Sequence, residues 1–182
     1  IAMHMADALI IPAVGGTMYL CSAITANQSI KKMQLKQDYK KVPLMGVMGA
    51  FVFAVQMVNF TIPGTGSSGH LCGSMLLSAI LGPYAGFLTM IGILMVQALL
   101  FADGGILALG CNIWNMAFYG CFVGGFLIWE TFVKTKISRK RIMAAAIIGS
   151  ILSTQLGALS VVLETTVSGV TELPFISFLA VM

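Results

Sequence analysis

Charged side chains are scarce in this sequence. Its 182 residues include ten lysines and arginines and six aspartates and glutamates, or 9% charged, against about 25% in a typical soluble domain. Apolar residues make up 58%. A soluble globule could not cover its surface with so few charges. A bilayer, in contrast, excludes charge, at roughly 2.5–3.5 kcal/mol per buried residue on insertion scales. The composition therefore predicts an integral membrane protein.

Several familiar chemical motifs are also missing. The sequence has no CxxC pair or zinc-ligand spacing, no HExxH and no P-loop ending in Gly-Lys-Ser/Thr. These absences argue against a zinc finger, a zincin-type hydrolase and an ATPase within this chain. Each cysteine lies in an apolar stretch, where a free cysteine serves as a small hydrophobic residue in helix contacts. The four are Cys21, Cys72, Cys111 and Cys121.

The long apolar runs predict an all-α, polytopic transmembrane bundle of about six helices plus the start of a seventh. We treat residues 1–182 as one transmembrane domain without a soluble insertion. Gly120 is a candidate break in the fifth helix, and the third is too short to cross a ~30 Å hydrocarbon core. The predicted helices are Leu9–Asn27, Pro43–Phe60, His70–Leu81, Tyr84–Phe101, Leu109–Thr131 and Arg141–Glu164, with an apolar run at Pro174–Met182 opening the seventh.

All ten basic residues fall in two short segments, which fixes a predicted topology. Four predicted helices separate these segments, so both can lie on one side, and short basic loops stay in the cytoplasm. The N-terminus is then extracellular, together with most of the acidic residues. We reject a nucleic-acid role for the basic segments because neither lies in a soluble module. The segments are Lys31, Lys32, Lys36, Lys40 and Lys41, and Lys134, Lys136, Arg139, Lys140 and Arg141.

The same topology places both histidines of the chain, His4 and His70, on the outer side. Histidine is the commonest side-chain ligand for transition metals, although a histidine near a helix end can also be a simple interfacial residue. The glycine- and serine-rich loop Gly64–Gly69 precedes His70. It is either an exposed turn or irregular backbone lining a cavity at membrane depth.

A few polar residues lie within the apolar runs, and each could serve only to join helices. Asn59 and Asn112 fall near the predicted outer ends of their helices and could instead orient metal ligands. Asp7 and Ser68, which neighbour the two histidines in the sequence, are further candidates for that supporting role. The remaining intramembrane polar residues are Gln97, Asn115 and Gln155.

At these residues the sequence resembles the CbiM/NikM family, the substrate-binding components of nickel and cobalt energy-coupling-factor (ECF) transporters. The combination of a Met-His start with a Ser-Gly-His-Leu segment is highly specific, and the matching motifs span most of the chain. They are Met3–Leu9, Val58–Leu71, Gln97–Gly105 and Gly110–Ile113.

The resemblance implies a ligand set. In this family the N-terminal Met gives its amine to the metal, the next His gives its backbone nitrogen and imidazole, and a second His closes a square plane. Carried over here, the ligands are Met3, His4 and His70. Such nitrogen ligation suits Ni(II) or Cu(II), and the amine, amide and imidazole form fused chelate rings only when His is the second residue. The choice between nickel and cobalt stays open.

Two features depart from the family pattern. Ile1 and Ala2 precede Met3, so the nitrogen of Met3 would be an amide, and we expect a weakened or absent metal site while they are present. Family members also continue beyond a segment like Pro174–Met182, so we expect the sequence to stop short of a last helix.

The resemblance further implies a multi-pass transport subunit in the plasma membrane of a prokaryote. It would capture Ni(II) or Co(II) as its cargo, without a cofactor or enzymatic activity, for a transmembrane coupling protein and cytoplasmic ATPase subunits. Two alternatives are a membrane-embedded metalloenzyme, for which Asp7 is the nearest acid or base, and a passive metal channel. A channel would need charged rings along its pore, and the apolar runs have none.

Overall fold

The structure, a computed structural model, describes residues 2–35, 41–62, 67–134 and 137–170. Six helices confirm the predicted helical bundle. The first four are α1 (Pro12–Leu35), α2 (Val42–Gln56), α3 (Ser74–Leu81) and α4 (Pro83–Leu100). The fifth is a continuous rod made of α5 (Leu109–Asn112), π1 (Ile113–Trp129) and α6 (Glu130–Lys134), and the sixth is α7 (Arg139–Ser168). The predicted seventh helix at Pro174–Met182 lies outside the described residues.

Three helices in the described part are long and apolar enough to cross a membrane: Pro83–Leu100, Leu109–Val133 and Arg139–Ser168. Helix α2 is apolar but has only 15 residues. Helix α1 has 24 residues and ends in the polar sequence Gln28–Leu35. The core lies where α3 and α4 pack on π1, around fully buried side chains such as Leu77, Phe87 and Met116.

A three-stranded sheet at one end of the bundle was not predicted. Its strands are β1 (Ala2–Met5), β2 (Asn59–Ile62) and β3 (Ser67–His70). Strand β3 is central and pairs antiparallel with both neighbours, so that His70 lies opposite Ala2 on one side and Asn59 on the other. The sheet gives hydrogen-bond partners to backbone that leaves the helices, which irregular chain near a membrane requires.

This sheet corrects two predicted helices. The second was expected to reach Phe60, but α2 ends at Gln56 because Asn59–Ile62 pairs with β3. The third was expected to begin at His70, but His70 is the last residue of β3, and α3 has only eight residues. Residues 64–66 of the predicted glycine- and serine-rich loop lie outside the described part, and residues 67–69 belong to β3.

Other boundaries differ for local reasons. The first helix continues to Leu35 because Gln28, Lys31 and Lys32 are good helix formers beyond the apolar run. The last continues to Ser168, where Gly169 stops it with a left-handed φ of 65°. Gly120 does not break the fifth helix. A Cβ there would lie 1.7 Å from Ser74 Oγ, so this glycine allows α3 to approach π1 closely.

The helices alternate in direction, which separates the basic residues from the sheet. Ile11 N donates to Ser168 Oγ at 3.3 Å, joining the start of α1 to the end of α7 at the sheet end. Lys41 Nζ donates to Leu81 O at 3.2 Å, joining the start of α2 to the end of α3 at the other end. The described basic residues therefore lie at the end opposite the sheet, which we call the basic end. Lys36, Lys40 and Lys136 lie outside the described residues.

Candidate metal centre

His4 and His70 meet at the sheet end of the bundle. Strand β1 carries His4 and strand β3 carries His70, and their ring centroids are 5.0 Å apart with the planes tilted by 57°. Each histidine is only 2% exposed. The register pairs Ala2 with His70 and His4 with Ser68, so the two imidazoles lie on neighbouring strands rather than directly opposite each other. Counting the predicted helices along the chain was enough to predict that both histidines would lie at one end of the bundle.

The imidazoles have free nitrogens where burial would normally demand partners. Within the described part of the chain, Nε2 of His4 and Nε2 of His70 have no hydrogen-bond partner, and His4 Nδ1 has only the carboxylate of Asp103 nearby, at 3.4 Å. Leaving a buried polar atom unpaired costs about 1–3 kcal/mol. His70 Nδ1 is 3.3 Å from Leu71 O, which leaves Nε2 available. Nitrogens that are buried, close together and unpaired form a donor set suited to a transition metal.

The surroundings of His70 keep its ring in the form that binds metal. Burial lowers the pKa of His70 from its usual value to about 4, and the neighbouring His4 adds to that effect. A neutral imidazole is the form that ligates. Asp103 has one oxygen, Oδ1, 3.4 Å from His4 Nδ1. The interaction with His4 lowers the pKa of Asp103, so its carboxylate stays ionised beside the pair.

Asp103 was not among the predicted site residues, although the predicted topology placed most of the acidic residues on this side. The sequence analysis included it only within the matching segment Gln97–Gly105. Gly104 has φ 84°, and a Cβ there would lie 2.9 Å from His4 Cδ2 and 3.0 Å from Asn112 Nδ2. The glycine therefore lets this turn close over the ring of His4. Asp103 N donates to Gln97 O at 3.1 Å, which holds the turn on the end of α4.

Met3, His4 and Met5 are held by contacts to their backbone. Met3 lies in β1 opposite Gly69. The side-chain amide of Asn112 binds the backbone of Met5 twice. Met5 N donates to Asn112 Oδ1 at 2.8 Å, and Asn112 Nδ2 donates to Met5 O at 3.1 Å. Gly105 N also donates to Met5 O at 3.0 Å. The amide of Asn112 thus fixes the strand that carries His4.

The other predicted supporting residues have different positions. Asp7 accepts a hydrogen bond from Ala108 N through Oδ1 at 2.9 Å, which anchors the chain after β1 to the start of the α5–π1–α6 rod. Asn59 Nδ2 donates to Asp103 Oδ2 at 3.2 Å. Ser68 lies opposite His4 in the sheet register and is half-buried. Gln97, in contrast, is fully buried on α4 and donates to Gln56 Oε1 at 3.0 Å.

No group of three or more His, Cys, Asp or Glu side chains with metal-binding geometry occurs among the described residues. Within the described residues, the candidate side-chain donors are therefore the imidazoles of His4 and His70, with the carboxylate of Asp103 nearby. A four-nitrogen set at this position would need two donors from the backbone. In the strand register, Met3 lies opposite Gly69 and His4 opposite Ser68, the two residues that precede His70.

Replacing Asn112 by leucine should weaken metal binding about 10–100-fold, the usual effect of removing a group that orients a ligand. The leucine keeps the volume but leaves Met5 N without its partner and frees β1 to move. Isothermal titration with Ni(II), in a chain that begins at Met3, measures the effect. The control is Asn59→Leu, which removes one exposed hydrogen bond to Asp103 and should cost less. Unchanged affinity in Asn112→Leu would contradict the supporting role of this residue.

Comparison with known proteins gives a consistent picture. The sequence matches the family model CbiM, described as "Cobalt uptake substrate-specific transmembrane region", over residues 4–182. It is 39% identical over 166 residues to a putative fused nickel transport protein NikMN of Archaeoglobus fulgidus, covering 91% of this chain and 53% of that protein. It is 32% identical over 157 residues to a cobalt transport protein CbiM of Lachnoclostridium phytofermentans, covering 84% and 61%.

A solved structure has the same fold. The crystal structure described as a truncated transition metal transporter superposes with a TM-score of 0.80 at 34% sequence identity, covering 89% of this chain and 73% of that one. The chain spans about half the length of the curated relatives it matches, 53% and 56% in two of them.

Proposed function

Because the chain belongs to the CbiM family of cobalt uptake substrate-specific transmembrane regions, we propose that it is the membrane subunit that captures Ni(II) or Co(II) for uptake. The observation that carries this proposal is the pair of buried imidazoles, His4 and His70, with unpaired nitrogens at one end of the bundle. Solvated, mobile histidines would bind metal weakly, whereas preorganised and desolvated donors lose less freedom on binding.

The proposed ligands are the amine of Met3 in a chain that begins there, the backbone nitrogen and imidazole of His4, and the imidazole of His70. Asp103, Asn59 and Asn112 would hold them in place. Four nitrogens in a plane favour Ni(II) over Co(II) in the general affinity order. We propose that the sheet end faces outward, because the described basic residues lie at the other end and short basic loops stay in the cytoplasm.

We further propose that uptake is powered by other subunits. The printed sequence contains no P-loop motif, so a transmembrane coupling protein and cytoplasmic ATPases of the ECF type would supply the energy. A metalloenzyme is less well supported because both nearby carboxylates are engaged. Asp7 accepts a hydrogen bond from Ala108 N, and Asp103 contacts His4 and accepts from Asn59. A passive channel is less well supported because the described spanning helices carry no rings of like charge.

Reconstitution into liposomes distinguishes these functions. Liposomes that contain this chain, the coupling protein and the ATPases should accumulate Ni(II) only when ATP is present on the ATPase side. Liposomes with this chain alone should bind Ni(II) and not transport it. Flux down a gradient through the chain alone would overturn the proposal in favour of a channel. A control with Ca(II), which prefers oxygen ligands, should show neither binding nor flux.

A further inference from the structure

Apart from the histidine pair, a second group of side chains that could bind a metal lies on the bundle side of β1. It consists of Met5 on β1, Cys111 on α5, Asn115 on π1 and Glu164 on α7, and we call it the inner cluster. Met5 and Cys111 are fully buried, Asn115 is 5% exposed and Glu164 is 8% exposed. Met5 and Cys111 belong to one buried cluster between β1, the α5–π1–α6 rod and α7. The Cys111 thiol is near enough to the Glu164 carboxylate for an electrostatic interaction.

The amide of Asn115 stands between the sulfur and the carboxylate. Its Nδ2 donates to Glu164 Oε2 at 2.7 Å and is 3.6 Å from Met5 Sδ. Two oxygens of this cluster, Glu164 Oε1 and Asn115 Oδ1, have no hydrogen-bond partner in the described part of the chain. The amide nitrogen of Asn115 therefore lies between the Met5 sulfur and the Glu164 carboxylate, in the place where a cation would fit.

A buried carboxylate needs a positive partner or a proton. None of the described lysines and arginines can serve Glu164, because they lie at the basic end of the bundle and Glu164 is near the sheet end. Its neighbours are instead a thiol and a thioether. A carboxylate beside two sulfur atoms is a donor set for transition metals such as Co(II), Ni(II) or Zn(II), and it is unsuited to Mg(II) or Ca(II).

We propose that Met5, Cys111 and Glu164 form a second, inner binding position for the transported divalent metal, with Asn115 holding the carboxylate while the position is empty. This inference rests on the proposed function, which brings the metal to His4 and His70. The metal binds the sulfur of Cys111 as a thiolate, so the thiol proton is released to solvent. Asn115 turns its amide away from Glu164 to make room.

The inner cluster adjoins the histidine pair through the chain itself. Met5 follows His4 directly, and successive residues of a strand point to opposite faces. His4 contacts His70 on one face of β1, while Met5 contacts Asn115 on π1 on the other. The inner cluster therefore lies one residue further along β1 than the imidazoles, on the opposite face of the strand. We propose that the metal passes from one position to the other around this strand.

Titration with Co(II) tests the inner cluster, because a cobalt–thiolate bond gives a sulfur-to-metal charge-transfer band that nitrogen ligands do not give. We expect this band in the protein and also in the His4→Ala/His70→Ala double variant, which removes the outer imidazoles. Cys111→Ser should abolish the band. Glu164→Gln keeps the shape and the contact with Asn115 while removing the charge, and should weaken the Co(II) affinity read from the band by at least about 10-fold.

Cys121→Ser is the matched control. Cys121 is also fully buried and lies on the same helical rod, but its thiol donates to Ser74 O at 3.3 Å, away from Glu164. This variant should keep the band. Absence of the band in the unmodified protein, or its persistence in Cys111→Ser, would overturn the inner position. Neither result affects the outer site, whose failure would appear separately as unchanged Ni(II) binding in the double variant.

Discussion

A chain that begins at Met3 is expected to bind Ni(II) more than about 100-fold more tightly than the same chain preceded by Ile1 and Ala2, because losing a direct donor should cost more than the ~10–100-fold loss seen for supporting groups. With Ile1 and Ala2 present, the nitrogen of Met3 is an amide, and its lone pair is delocalised into the carbonyl group. With Met3 first, that nitrogen is an amine that can ligate. Isothermal titration of both forms measures the difference.

Ala2 could also act by its position, since it lies directly opposite His70 in the strand register. A form that begins at Met3 and is acetylated there separates the two effects. Acetylation removes the amine without restoring residues 1 and 2, so this form should bind as weakly as the longer chain. Equal affinities of the free and acetylated forms would show that the amine is not a ligand.

Replacing His70 by alanine is expected to remove the stabilisation that Ni(II) gives to the protein through the outer site. A ligand that binds only the folded state at 100 times its Kd stabilises it by about 2.7 kcal/mol. In a chain beginning at Met3, the unmodified protein should therefore gain thermal stability with Ni(II), while His70→Ala should gain much less at the same concentration. Thermal unfolding in detergent, with and without metal, measures both values.

The metal-free stability of this variant provides its own control. His70 is buried with Nε2 unpaired, so its removal relieves a cost of about 1–3 kcal/mol while creating a cavity that costs a similar amount. We therefore expect little change in the unfolding temperature without metal. His4→Ala should behave in the same way. Full Ni(II) stabilisation in both variants would contradict the proposed ligands.

The position of the histidine pair was predictable because it depends only on counting helices. Four helices between two basic segments are enough to place His4 and His70 at one end, and errors of several residues at each boundary do not change the count. The structure brings these rings to a centroid distance of 5.0 Å. A distance of this kind cannot be predicted from helix parity, because it depends on the register between β1 and β3.

The sheet itself could not be predicted because its strands have only four residues each. Ser67–His70 contains serine and glycine, which have low strand propensity, and shows no alternation of apolar residues. Its pairing is imposed by the need of backbone groups for partners. Asp103 was missed for a related reason: an acidic residue before Gly104 and Gly105 is typical of a helix end, and only the fold brings it to His4.

The shortness of α3 has an electrical consequence. Its hydrogen bonding begins at Gly73 O, and the eight steps from there to Leu81 rise about 12 Å. The three residues from His70 to Gly73 add at most ~11 Å. Leu81 lies beside Lys41 at the basic end. Placing Leu81 at one edge of a ~30 Å hydrocarbon core would therefore put His70 at least about 7 Å inside the other edge.

An ion at this depth has already passed through part of the membrane's voltage drop. Each elementary charge gains about 2.3 kcal/mol across 100 mV, so a divalent ion that crosses a quarter of the drop gains about 1 kcal/mol. With the basic end in the cytoplasm, a negative membrane potential would draw the cation towards His4 and His70. Capture in an energised cell would then be several-fold stronger than in a detergent solution, where that field is absent.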